Sequence, residues 1–141
     1  MNITFVRSEN LKRAANFTFS NMRVYYEQFA PDWDESKVYE ATLELENYDI
    51  IFQQQVVGVM RLQFDSQFCV LRDLQVASSV QNKGIGFAAL QEAKNRTLNA
   101  NLNTLTLRVF KISPAVSLYK RNGFAIQSED ERFFNMVAQV F

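Results

Sequence analysis

Residues Val76–Leu90 read VASSVQNKGIGFAAL. A strand-like run stops at Val76, a polar stretch carries glycines at 84 and 86, and a helix-like run follows. The first amides of a helix have no partner inside it, and glycine lets another group approach the backbone closely. A junction of this kind suits an anion. The rest of the chain has to say which anion, and what is done to it.

Upstream, Phe68, Val70, Arg72, Leu74 and Val76 fall on one side of QFCVLRDLQV at strand period. Before it, YDIIFQQQVVGVMRLQF reads as a hairpin turning near Gln53–Gln55. Asn2–Val6 predicts a first strand. Ser8 is a candidate cap for a helix running to Phe29, which Pro31 ends, and Asp34 can cap a second helix, ESKVYEATLELEN. Downstream, Gly86, Leu90, Ala93 and Thr97 mark one helix face. NTLTLRVF then reads as a strand with Leu105, Leu107 and Val109 opposite Thr106, Arg108 and Phe110. Ser113 and Pro114 open another helix, and Asn122-Gly123 closes it. The tail predicts two strands around an acidic turn. The expected order is βααβββαβαββ, an α+β (mixed α/β) sheet protein in a single domain over residues 1–141.

Composition narrows the function. Apolar residues make up 48% of 141, enough for a sizeable core. The lone cysteine, Cys69, sits in an apolar run and reads as a buried thiol, which fits a reducing, cytoplasmic setting. The chain has no histidine, which excludes Ser-His and Cys-His mechanisms and histidine metal sites, and no metal is expected. No apolar run approaches the ~20 residues of a membrane span, and a net charge of zero argues against a nucleic-acid partner. Charge is segregated, however. Glu27–Asp49 is rich in acids and holds one base, Lys37, whereas Lys83–Arg121 is rich in bases and holds one acid, Glu92. Two small partners of opposite sign would match this pattern, as would ordinary solvated helix faces.

Three anion-binding patterns compete for the junction. The G-x-x-x-x-G-K-[ST] string is absent. G-x-G-x-x-[GA] is met by Gly84, Gly86 and Ala89, but the first glycine lies well past the strand end and the strand TLTLRVF carries no ribose-binding acid. The third pattern, Q-x-x-G-x-G, is met by Gln81, Gly84 and Gly86. Here the chain resembles the GNAT superfamily of N-acetyltransferases, whose pyrophosphate loop is [QR]-x-x-G-x-[GA]. LRDLQV resembles the splayed central strand of that superfamily. Val109–Phe124, V-x-x-x-S-P-A-x-x-L-Y-K-x-x-G-F, resembles its second cofactor motif, with Ser113 where asparagine is usual. Gly58 fits its valine-glycine pair, and the element order matches along nearly the whole chain.

The resemblance implies a mostly antiparallel mixed sheet with a splayed central strand, and transfer of acetyl from acetyl-CoA to a primary amine of a small molecule or protein. It places the pantetheine arm along Leu74, Gln75 and Val76, with the Val76 amide polarising the carbonyl. It places the pyrophosphate on the loop Gln81, Asn82, Lys83, Gly84, Ile85, Gly86 and Phe87. Ser113 would bond the arm or only cap its helix, and Tyr119 would protonate the leaving thiolate. Arg108 occupies the place of a glutamate base in some similar enzymes, and arginine cannot serve as a base at neutral pH. It could read an acceptor carboxylate or pair with an acid such as Asp73. Glu40 and Glu44, read as one helical turn apart, could draw in an ammonium, and Tyr25, Tyr26 and Trp33 could wall the acceptor. Monomer and homodimer both stay open. The rival readings are a non-catalytic acyl-CoA-binding domain and a nicotinamide oxidoreductase, the latter disfavoured by the missing ribose acid.

Overall fold

The structure, a computed structural model, describes residues 2–141. Five helices and seven strands run in the order β1 (Ile3–Arg7), α1 (Leu11–Asn21), α2 (Arg23–Phe29), α3 (Glu35–Thr42), β2 (Glu46–Phe52), β3 (Gln55–Phe64), β4 (Cys69–Val76), α4 (Ile85–Asn99), β5 (Thr104–Phe110), α5 (Ala115–Arg121), β6 (Ala125–Glu129) and β7 (Phe133–Gln139), with one 3-10 turn at Ser78–Val80. The hydrogen-bonded strand order is β1-β2-β3-β4-β5-β7-β6. Pairs β1–β2, β5–β7 and β6–β7 are antiparallel, and β4–β5 is parallel. The strand pattern predicts a mixed sheet, and the family resemblance implies that it is mostly antiparallel; the structure has both properties.

Two compact units partition the chain. One holds the chain up to Arg61 together with Asp73–Ile85, and the other holds Leu62–Arg72 with Gly86–Phe141. In the first unit the core is built on Ala14, Ala15, Val38, Tyr48, Ile50, Val57, Val59 and Met60, all nearly or fully buried. Strands β2 and β3 bury both their faces, so their apolar runs show little alternation. They join through a two-residue turn in which Gln53 and Gln54 both have positive φ, 52° and 66°. That is the twist a tight hairpin requires, here adopted without glycine.

In the second unit Leu62, Cys69, Leu71, Leu90, Ala93, Leu105, Leu107, Phe124 and Met136 form the core. Cys69 is fully buried, as its apolar setting predicts. Helix α4 buries Ala89, Leu90, Ala93 and Thr97, and the predicted Leu105/Leu107 face of β5 is the buried one.

The local chemistry corrects several expectations. The single helix expected over residues 8–29 breaks at Met22 into α1 and α2, which adds a helix to the predicted order. Its cap is not Ser8 but Asn10, whose side chain accepts from the Arg13 amide at 3.0 Å, while the Ser8 hydroxyl donates to Asp49 Oδ1 at 2.8 Å. Asp34 does cap α3, accepting from the Lys37 amide at 2.9 Å. That helix stops at Thr42, so Glu44 lies beyond it and the Glu40/Glu44 helical pair does not form. On β4 the period of two holds, and the buried side is Cys69, Leu71 and Gln75, opposite the Phe68–Val76 set.

Gly58 on β3 shows why a residue without a side chain is needed. A Cβ there would collide with the backbone carbonyl oxygen of Gln75 and press on Ile50. Backbone cannot rotate away as a side chain can, so Gly58→Ala is expected to destabilise the protein by ~1–3 kcal/mol. Urea unfolding of the two proteins measures it, and an unchanged midpoint would mean the strands part without cost.

Candidate active site

Strand β4 carries several of the candidate site residues. The β4–β5 register pairs Cys69 with Leu105, Val70 with Thr106 and Leu71 with Leu107. Both strands run on past that three-residue ladder, β4 to Val76 and β5 to Phe110. In the first unit the end of β4 is tied down by side chains instead. Arg61, fully buried on β3, donates from Nη1 to Asp73 Oδ2 at 2.7 Å and to Thr18 Oγ1 at 2.7 Å, and from Nε to Asn47 Oδ1 at 2.6 Å. Gln75 Nε2 donates to Asp73 Oδ1 at 2.5 Å, and Gln75 Oε1 accepts from Asn21 Nδ2 at 2.7 Å. A chain of polar contacts therefore joins α1, β3 and β4. Losing one member of a buried ion pair of this type costs about 3–5 kcal/mol, because the other charge is left behind.

After Val76 the backbone turns. Gln81 Nε2 donates to the Val76 carbonyl at 3.0 Å and holds the loop against the strand end. Asn82 and Gly84 both take positive φ, 64° and 82°, on either side of Lys83. Alternating left-handed residues make the concave array of amides that cradles anions. Among the described residues, the amides of Asn82, Lys83 and Gly84 donate to no protein oxygen, and all three residues are exposed. Ile85 opens α4 with its side chain buried, so only its backbone could serve a ligand, while the Phe87 ring is 52% exposed. Leu74 and Val76 are half-buried.

The second unit carries the other candidates. Gly86 lies under α5: a Cβ there would come within 2.8 Å of Leu118 Cδ2. The Ser113 hydroxyl accepts from the Ala115 amide at 3.1 Å and so acts as a helix cap. Gly123 ends α5 with φ +90°, as predicted. Tyr119 is buried, 7% exposed, with its ring edge-on to Phe124 at 5.7 Å. Arg108 is exposed and pairs not with Asp73 but with Asp130, Nη2 to Oδ2 at 2.8 Å, and its guanidinium lies 3.9 Å over the Phe133 ring. The amides of Arg132 and Phe133 hold the Asp130 carboxyl below the usual carboxylate range, burial opposes them weakly, and Arg108 adds to the lowering.

The aromatic residues of α1 and α2 stack. Phe19 lies 5.7 Å from Tyr26, and Tyr26 lies 6.0 Å from Trp33, with interplanar angles of 15° and 12°. The Tyr26 phenol is pushed up to about 12, first by burial, then by the negative field of Asp73, against a lowering by Arg61. Its neutral form is therefore the one the fold favours. Its contribution to stability is fully present below the unfolded value of 10.0 and is lost as pH rises through about 12. An ultraviolet titration should show that the phenolate signal removed by Tyr26→Phe develops near pH 12; a signal near pH 10 would mean the ring is solvated. Glu40 stands exposed on α3 with no hydrogen bond or ion pair among the described residues. Gln75, Asp73, Tyr26, Trp33 and Glu40 all belong to the first unit.

Arg61 was not legible as a site residue. A single base within VVGVMRLQF reads as one strand position among apolar ones, and nothing in the sequence shows both strand faces to be buried. The described residues hold no cluster of three metal-ligating side chains, and none of their helices is long and apolar enough to cross a membrane.

Comparison with known proteins agrees with this architecture. Residues 12–140 match the family model described as an acetyltransferase (GNAT) domain. The chain belongs to the GNAT acetyltransferase family. Among solved structures, the PaiA N-acetyltransferase of Thermoplasma acidophilum, in complex with coenzyme A, is 20% identical, with 99% of each chain covered and a TM-score of 0.82. A GNAT family acetyltransferase of Elizabethkingia anophelis with acetyl-CoA bound is 17% identical over 99% of each chain, with a TM-score of 0.74. The ribosomal-protein-S18-alanine N-acetyltransferase of Escherichia coli is 19% identical, covering 99% of this chain and 94% of its own, with a TM-score of 0.74. Comparison with curated proteins gives no match.

Proposed function

We propose that the protein is an acetyl-CoA-dependent N-acetyltransferase that acetylates a primary amine of a small molecule or protein. The observation that carries the reading is the run of unbonded amides at Asn82, Lys83 and Gly84, set by two left-handed residues between a strand end and a helix start. Such donors fit a pyrophosphate, and solved family members carry coenzyme A or acetyl-CoA.

In this reading Gln81–Phe87 hold the pyrophosphate through backbone amides, and Leu74–Val76 hold the pantetheine arm by main-chain bonds, as an added strand would. The thioester supplies an activated acetyl group. The Val76 N–H donates to the thioester carbonyl oxygen, where a fixed dipole stabilises developing negative charge. Tyr119 holds the proton for the departing thiolate. The Ser113 hydroxyl accepts from the Ala115 amide, which leaves its O–H to donate to the arm. Arg108 has an internal partner in Asp130, so reading an acceptor carboxylate would require it to exchange that bond. Trp33 and Glu40 flank the acceptor on the acidic half of the chain.

The alternative is a non-catalytic acyl-CoA-binding domain, favoured by the burial of Tyr119. Thiol release from acetyl-CoA with a panel of primary amines decides between the two. Amine-dependent release supports the enzyme, whereas tight acetyl-CoA binding with no release on any amine supports the binder.

A further inference from the structure

Arg61 presents no surface to a ligand. Its side chain is fully enclosed, with Nε bonded to Asn47 and Nη1 to Thr18 and Asp73. Nη2 is buried and has no partner among the described residues. A buried charge with one donor unmatched is a poor source of stability, since well-packed apolar residues of similar volume often do as well or better. Its use has to be sought in what it holds.

What it holds is the last stretch of β4. The ladder from β4 to β5 covers Cys69–Leu71 and so ends before Asp73. From Asp73 onward the strand is tied to β3 and α1. Asp73 Oδ2 accepts from Arg61 Nη1 and Asp73 Oδ1 from Gln75 Nε2, while Gln75 Oε1 accepts from Asn21 on α1. A Cβ at Gly58 would collide with the Gln75 carbonyl oxygen, so the β3 backbone sits directly against it. The Ala77 N–H donates to the Val57 carbonyl at 2.8 Å. Arg61 also reaches α1 through Thr18, itself 1% exposed, and β2 through Asn47. One side chain thus links three elements to Asp73, and Gln75 passes the link on to its neighbours Leu74 and Val76.

Resting on the acetyltransferase reading for the reaction, we propose that Arg61 is a positioning residue for acetyl transfer. Through Asp73 and Gln75 it fixes the Leu74–Val76 backbone, along which that reading lays the thioester, and it touches neither substrate. A carbonyl donor works by being already in place where charge develops, and a misplacement of ~1 Å can cost about a hundredfold in rate. Affinity has a separate source, because the same reading seats the pyrophosphate on Gln81–Phe87, to which Arg61 makes no hydrogen bond among the described residues. Cutting the Arg61 tie therefore acts on kcat and leaves acetyl-CoA binding in place.

The test uses the full-length protein. Arg61→Met alone would strand the Asp73 carboxylate, so it is combined with Asp73→Asn, which removes both charges and keeps an acceptor for Gln75 Nε2. Thr18→Val is made beside it, since Thr18 is buried and its hydroxyl accepts from Nη1. Circular dichroism and urea unfolding give the folded fraction, and assays run well below every unfolding midpoint. Thiol release from acetyl-CoA is followed with the primary amine that the wild type acetylates fastest, and calorimetry gives acetyl-CoA affinity. The double variant is expected to lose about 10–100-fold in kcat, and Thr18→Val less in the same direction, with acetyl-CoA affinity and the amine KM held. Wild-type kcat in the folded double variant overturns the proposal and makes Arg61 a packing residue. A change confined to the amine KM also overturns it, because Asp73 would then be a substrate contact. If the double variant does not fold, Thr18→Val decides by whether its kcat falls. Wild-type protein that releases no thiol with any amine defeats the acetyltransferase reading itself, before any variant is compared, and this proposal with it.

Discussion

Gly84→Asp is expected to weaken acetyl-CoA binding on the order of a hundredfold while the protein stays folded. Gly84 is exposed and holds φ +82°, a conformation that side chains resist by ~1–2 kcal/mol. The aspartate would also bring negative charge to a loop whose amides are the proposed pyrophosphate donors. Losing one or two charge-assisted hydrogen bonds, each worth about 1.5–3 kcal/mol, corresponds to that change in affinity. Gly84→Ala separates strain from charge: it carries the same φ penalty without the carboxylate, and its affinity should fall between the two. Calorimetry with acetyl-CoA reads both. Wild-type affinity in a folded Gly84→Asp protein would remove the loop from cofactor binding. Gly86→Asp is the poorer probe. The sequence alone suggests that the fold survives this change too, but its new Cβ would press on Leu118, so lost binding could come from displaced helices.

Tyr119→Phe should lower kcat by about 10²–10⁴, the usual worth of a general acid, with little change in acetyl-CoA affinity. The phenylalanine ring keeps the edge-on contact with Phe124, so packing is conserved and the hydroxyl is the part removed. Steady-state kinetics at saturating amine, with a separate binding measurement, make the distinction. A kcat within about a factor of two of wild type would make Tyr119 a packing residue and leave the thiolate to be protonated by water.

The sequence was most informative where backbone chemistry is written in residue types. Asp34 caps α3, Gly123 stops α5, and the turn at Gln53–Gln54 lies where the hairpin pattern puts it. Gln81, Gly84 and Gly86 at their spacing marked a loop in which Asn82 and Gly84 take positive φ, a backbone few residues tolerate. The reading failed where tertiary partners decide. Ser8 is a good cap by type, but Asp49, distant in sequence, takes its hydroxyl. The break at Met22 has no proline or glycine to announce it. The partner of Arg108 could not be chosen among acids by pattern, since Asp73 is claimed by a base buried on β3. Arg61 itself shows the limit most clearly: what makes it notable is an unmatched Nη2 atom, a property of three-dimensional surroundings alone.

The short ladder between β4 and β5 also has a bearing on time. Hairpin partners such as β6 and β7 lie close in the chain and can meet early, whereas Cys69–Leu71 must wait for Leu105–Leu107 to return after the whole of α4. Parallel pairing over so long an excursion pays its closure entropy before it gains any contact, and here only three residue pairs repay it. The rate-limiting stage of folding is thus expected at this joint, and the same economy of bonds makes it the first seam to open under thermal fluctuation. Amide exchange at Leu71 and Leu107 should be faster than at equally buried positions of β7, even though both leucines sit at the centre of a core.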